Sequence, residues 1–220
     1  MVPVFCHPEP GPELDSGSND FGISILGLEN LGFKAPSCGR GSLLDEPVEI
    51  LVCGGSALNV LGLVQRATED VDVLAYVKRN KTGEVSLVKA EPLIDELAAA
   101  AKKVARDFNL PEKWLNPGPA SAVDLGLPNG LMERVITRKY GRKLIVHYLG
   151  RYDQIHFKLY AAVGQGAGKH LDDLLALKPT SDELENAARW TMTHDVSDGF
   201  KQNLKSLLNY LEFEDVAERL

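Results

Sequence analysis

Residues 48–74 read VEILVCGGSALNVLGLVQRATEDVDVL, and the two ends of this stretch decide the fold. Val48–Cys53 is largely apolar and partly β-branched, the composition of a buried strand, and Gly54-Gly55 stops it in a turn. Ser56 has the chemistry of an N-cap, which predicts a helix through about Gln65. A second apolar strand follows over Val71–Val77, with Asp70 and Asp72 at its start. Residues two apart on a strand point to one side, so Val71 and Val73 turn inward and both carboxylates share a face. Two carboxylates side by side repel each other unless a cation neutralises them.

That pairing points to chemistry. Hard oxygen donors suit Mg²⁺ or Mn²⁺, and a helix N-terminus opening at Ser56 offers N–H groups to a phosphate. A phosphate seat beside paired metal ligands is the minimal kit for metal-assisted phosphoryl or nucleotidyl transfer. The bland alternative has Asp70 capping or ion-paired, Asp72 in solvent and the glycines merely turning the chain. Asp-x-Asp alone is common; its coupling to strand, Gly-Gly-Ser and helix favours a site.

Working outward, the chain has 220 residues, 44% hydrophobic and 25% charged, the composition of a globular protein with room for one large domain or two small ones. No apolar run approaches the roughly 18–20 residues that span a bilayer, and the first seventeen residues have neither the basic start nor the apolar core of a signal peptide. Cys6, Cys38 and Cys53 are odd in number and widely spaced, which suits a reducing cytoplasm better than a disulfide framework. The net charge is −7; residues 1–46 hold seven acids and two bases, hence −5, leaving −2 on the remainder. A weakly acidic body does not advertise nucleic-acid binding, though it permits a local basic surface.

Residues 1–46, rich in Gly, Pro, Ser and acids, read as an irregular or disordered segment with a short helix near Ile23–Asn30. Residues 47–150 form a mixed α/β unit. In it, Val85–Val88 completes a hairpin with the second strand, Leu93–Phe108 is an alanine-rich helix, and residues 111–130 are loop apart from a turn at Glu112–Leu115. Glu133–Tyr140 and Lys143–Tyr148 are two further strands. Residues 151–220 are helical throughout, over Asp153–Val163, Lys169–Leu177, Ser181–His194 and Phe200–Tyr210, and Ser181-Asp182-Glu183 reads as a helix start. The fold class is therefore α+β: a small mixed sheet followed by a C-terminal helical bundle.

The opening stretch resembles the signature of the DNA polymerase β-like nucleotidyltransferase superfamily: a hydrophobic strand, Gly-Ser, a spacer, then Asp-hydrophobic-Asp-hydrophobic. The fuller pattern, Gly54-Gly55-Ser56-Ala57-Leu58 with Arg66-x-Thr68-x-Asp70-x-Asp72, is similar to the branch holding AbiEii-like toxins of type IV toxin–antitoxin systems and related uncharacterised bacterial proteins. Trp114-Leu115-Asn116 resembles a Trp-Leu-Asn element of those relatives. Lys158-Leu159-Tyr160-Ala161 with Lys169-His170-Leu171-Asp172-Asp173-Leu174 resembles the toxins' helical block. The resemblance implies that Asp70 and Asp72 hold Mg²⁺ or Mn²⁺, that Gly54, Gly55, Ser56, Arg66 and Thr68 belong to the NTP-binding motif with Gly55 and Ser56 on the β/γ-phosphates, that Lys158 faces the triphosphate or acceptor, and that Asp173 matches the block's second acid. It also implies an NMP transfer to a hydroxyl acceptor, with RNA (tRNA) first, an antitoxin protein as a partner, and no membrane.

Two departures stand out. Lys169 and His170 replace the block's Arg and Asp, and the strand expected to carry a third carboxylate, Lys143–Tyr148, has none; Asp124 or Asp153 could substitute, and nothing in the sequence fixes either. A nucleotide- or partner-binding protein with little turnover is therefore one alternative, and a small-molecule nucleotidyltransferase of the aminoglycoside-modifying kind is another. Gly164–His170 imitates a phosphate-binding loop, but Val163 and His170 stand where Gly and Ser/Thr belong and a helix precedes it, so it reads as a connection. Arg134, Arg138, Lys139, Arg142 and Lys143 form a basic cluster, with Lys78, Arg79 and Lys81 as a second. Both are either solvated hairpin surface or contacts to an RNA backbone. The five histidines have no ligand spacing.

Overall fold

The computed structural model describes residues 22–32, 43–64 and 67–220. Its centre is β1 (Val48–Cys53), flanked by β2 (Val71–Arg79) running antiparallel and β6 (Leu144–Tyr148) running parallel. β3 (Val85–Lys89) and β5 (Ile136–Tyr140) lie outside them, giving the order β3-β2-β1-β6-β5, and the two-residue β4 (Leu115–Asn116) pairs with the start of β2. The mixed sheet followed by helices is the fold class the sequence implies.

Alternation along the strands builds two layers. Val48, Ile50, Val52, Val71, Val73, Val146 and Tyr148 face α1 (Gly22–Gly32) and α3 (Asp95–Phe108), whose Leu28, Leu97 and Val104 close that core with Trp114. Trp114 is fully buried and its Nε1 donates to Ala101 O at 3.0 Å, so its polar edge is satisfied. Leu51, Cys53, Leu74, Val77 and Leu149 face the other way, against Leu131 and the short helix α4 (Ala122–Leu125). A third core unites α5 (Arg151–Gln165), α6 (Lys169–Ala176), α7 (Ser181–His194), α8 (Asp198–Tyr210) and α9 (Glu214–Arg219). Leu58, from α2 (Gly54–Val60), is buried in that third core and ties the helical half to the strand–turn–helix of the sheet.

Several local expectations need correction. α2 ends at Val60, not Gln65. Gly62 takes φ +69°, its N–H bonds Asn59 O and the Leu63 N–H bonds Leu58 O, a glycine-terminated helix end that stops propagation. Cys53 is the N-cap residue, so Ser56 lies inside the first turn. α7 has the expected bounds, Ser181–His194, but its cap is Thr180 and not Ser181, paired with Glu183 in a capping box. Residues 111–130 hold β4, a 3₁₀ turn at Gly118–Ser121 and α4, and residues 131–133 are a 3₁₀ turn, so β5 begins only at Ile136. α9 had no counterpart in the sequence reading. No helix among the described residues is long and apolar enough to cross a membrane.

Candidate functional site

β1 ends at Cys53 in extended backbone, and Gly54, at φ +76°, turns the chain straight into α2. Cys53 pairs with Asp72 across the β1–β2 ladder. Positive φ suits glycine, and so does the space: a Cβ on Gly54 would collide with Asp72 Oδ2. The glycine turn and the carboxylate are therefore in direct apposition.

The strand alternation around the acids is as the sequence implies. Val71 and Val73 are fully buried, while Asp72 between them and Asp70 just before the strand are partly exposed. β4 locks this end: Val71 N–H donates to Trp114 O at 2.6 Å, and Asp72 pairs in register with Asn116. Asn116 Nδ2 donates to Asp72 Oδ1 at 3.3 Å, and its own Oδ1 accepts from Gly118 N–H at 3.0 Å, which sets the amide's orientation. Burial, with Asp70 beside it, pushes the Asp72 carboxyl from 3.8 up to about 6, against the pull of Lys158, Lys169 and the Asn116 bond. Burial, then the Asp72 charge, pushes the Cys53 thiol well up, which keeps it protonated.

Lys158 and Asp173 form a buried ion pair at 2.7 Å between α5 and α6, with side chains 5% and 2% exposed. The Lys158 charge reaches Asp72 and Cys53, and Lys169, the first residue of α6, reaches Asp72. Gly54, Asp70, Asp72 and Lys158 thus lie within contact or electrostatic reach of one another, and Cys53, Asn116 and Lys169 join them. Gly55 lies beside Gly54 at the start of α2, and Ser56 is buried, its Oγ donating to Cys53 O at 3.4 Å. Thr68 is buried just before β2, and Arg66 lies outside the described residues. Asn116 was legible only as part of a Trp-Leu-Asn run, because its bond to Asp72 spans 44 residues.

The substitutes for a third carboxylate are engaged elsewhere. Asp153 is fully buried and bound by both Nε and Nη2 of Arg134, at 3.0 and 2.6 Å, and Asp124 pairs with Lys89 at 2.8 Å. Among the described residues no group of three or more His, Cys, Asp or Glu side chains gathers at one point. Arg134 therefore leaves the basic cluster. Arg142 and Lys143 lie between the end of β5 and the start of β6, and Lys78, Arg79 and Lys81 lie at the end of β2. By register, that end of the sheet is opposite the one carrying Asp72, roughly 17 Å away along β1. The glycines of 164–168 are exposed and connect α5 to α6.

Compared with family models, curated proteins and solved structures, the chain matches none.

Proposed function

We propose that this chain is a metal-dependent nucleotidyltransferase, moving NMP from an NTP to a hydroxyl acceptor with release of pyrophosphate. The observation that carries the reading is Asp72 set beside Asp70, its carboxylate against the bare Cα of Gly54, with Lys158 within electrostatic reach. Asp72, its carboxyl pushed up by burial and by the Asp70 charge beside it, fits a divalent cation, since a hard cation relieves that repulsion and takes oxygen donors. When bound, Mg²⁺ or Mn²⁺ would supply Lewis acidity toward phosphoryl oxygens.

The chain's own residues divide the remaining work. Asp70 and Asp72 hold the cation, and the Asn116 amide keeps the Asp72 carboxylate from turning. Gly55 and Ser56 offer backbone N–H groups to the β/γ-phosphates at the start of α2. Lys158, oriented by Asp173, and Lys169 offer positive charge to the triphosphate. Lys78, Lys81, Arg142 and Lys143 at the far end of the sheet favour a large polyanionic acceptor, because a folded RNA spans both ends and a small hydroxyl compound does not. A cytoplasmic toxin acting on tRNA, held in check by an antitoxin protein, is the setting the sequence resemblance supports.

A second reading, NTP binding with little turnover, is favoured by the engagement of Asp153 with Arg134 and of Asp124 with Lys89. Incubation with each labelled NTP, Mg²⁺ or Mn²⁺ and total RNA tests the first: a labelled RNA is expected, and Asp70→Asn with Asp72→Asn should abolish it. Undiminished labelling by that double variant would sink the mechanism. Metal-dependent NTP binding without label in RNA, protein or small hydroxyl compounds would select the second reading.

A further inference from the structure

Three adjacent strands carry a hydroxyl, an imidazole and a carboxylate in hydrogen-bonded sequence, on the sheet face turned away from α1 and α3. Thr137 on β5 stands directly opposite His147 on β6, with Oγ1 2.8 Å from Nδ1. His147 in turn sits beside Leu51 of β1, and its Nε2 lies 2.9 Å from Oε2 of Glu49, one same-face position earlier. The Glu49 carboxylate favours one polarity for this chain. An ionised carboxylate only accepts, so Nε2 carries the hydrogen. When the ring is neutral with its hydrogen on Nε2, Nδ1 is the acceptor and the Thr137 hydroxyl donates to it. Glu49 is itself held by Arg79 at 3.4 Å.

We propose that Thr137, His147 and Glu49 form an acyl-transfer site for small activated esters, independent of the Asp70–Asp72 centre. The nucleophile–base–orienter order is the arrangement that activates a hydroxyl. Thr137 is open to solvent, while His147 behind it is 3% exposed and Glu49 is half-buried. β5 is an edge strand whose residues 136–139 are all exposed, so its outward-turned N–H groups lie beside Thr137 as donors for a developing oxyanion. Lys139, two residues on and on the same face, adds a cation.

In the step, Thr137 Oγ1 bonds the ester carbonyl carbon while its proton passes to His147 Nδ1. The tetrahedral species collapses by breaking the ester C–O bond, and the departing oxide takes that proton. Water then attacks the acyl-threonine, losing a proton to Nδ1, and the returning proton restores the Thr137 hydroxyl. Thr137 and His147 are the catalytic residues; Glu49 positions the ring.

The test is p-nitrophenyl acetate with the full chain, following p-nitrophenol release and peptide mass. The expected result is an initial burst with a single acetyl adduct on Thr137. Thr137→Val, at an exposed position, should remove adduct and burst, Thr137→Ser should retain both, and His147→Gln should slow release by roughly 10²-fold or more. Asp70→Asn with Asp72→Asn should leave release unchanged, so failure of the nucleotidyltransferase reading and failure of this one are separable. Equal release by wild type and Thr137→Val, or an adduct on any other residue, overturns the proposal.

Discussion

Replacing Asp72 by Asn should make the cation-free protein more stable. The carboxyl stands at about 6 instead of 3.8 because burial and Asp70 outweigh Lys158, Lys169 and Asn116. At about 1.4 kcal/mol per unit, the ionised form is disfavoured in the folded state by about 3 kcal/mol at neutral pH. The sign follows from the folded value lying above the unfolded one. The stability contributed by proton binding is complete below about pH 4 and is lost as pH rises through about 6. Asn mimics the protonated acid in shape and keeps an oxygen for the Asn116 amide, so it escapes that loss. The variant should exceed wild type by about 1 kcal/mol at pH 4.5 and about 3 kcal/mol at pH 8, the latter a Tm rise of about 6–12 °C for a chain of this size. Urea unfolding in a chelator at pH 4.5, 6 and 8, read by tryptophan fluorescence, measures this directly. Added Mg²⁺ should narrow the gap by stabilising wild type alone. A variant no more stable than wild type at pH 8, or a difference that does not widen with pH, refutes the electrostatic account of the Asp70–Asp72 face.

Lys158→Met leaves Asp173 buried without its ammonium partner and should cost about 3–5 kcal/mol, most of it recovered when Asp173→Leu is added; denaturant midpoints of the two variants decide. Gly62→Ala meets nothing within 4 Å, so its loss comes from φ +69° alone and should be about 1 kcal/mol, seen as a lower midpoint at unaltered m. Thr180→Ala removes the capping-box oxygen and should cost about 1 kcal/mol, with faster amide exchange confined to the first turn of α7. Global loss of exchange protection there would contradict that assignment.

What could be read in advance was whatever short-range chemistry determines. The β1 strand, the apolar alternation of Val71 and Val73 and the order of the helices follow from local period and composition. The α2 terminus departs from the sequence expectation although its signal is present: Gly62 sits where a left-handed residue ends a helix, and an apolar run around it masks the stop. The α7 cap lies one residue from the expected one because Thr180 and Ser181 are both good caps, and only the reciprocal bond with Glu183 separates them. β4 was invisible, since a two-residue strand exists only through pairing with a partner 44 positions away.

The candidate site divides the same way. Sequence alone determined that two carboxylates share a face a short helix after a glycine turn, because strand period and spacing are local properties. Only the tertiary structure decided what surrounds them. Ladder pairing with β4 brought Asn116 to Asp72, helix packing brought Lys158 and Asp173 together, and sheet register sent Arg142, Lys143 and Arg79 to the opposite end. It also bound Asp153 to Arg134 and joined Thr137, His147 and Glu49 across three strands. Each of these contacts depends on the register and packing of distant segments, and a side chain's partner across a sheet leaves no periodic trace in its own neighbourhood.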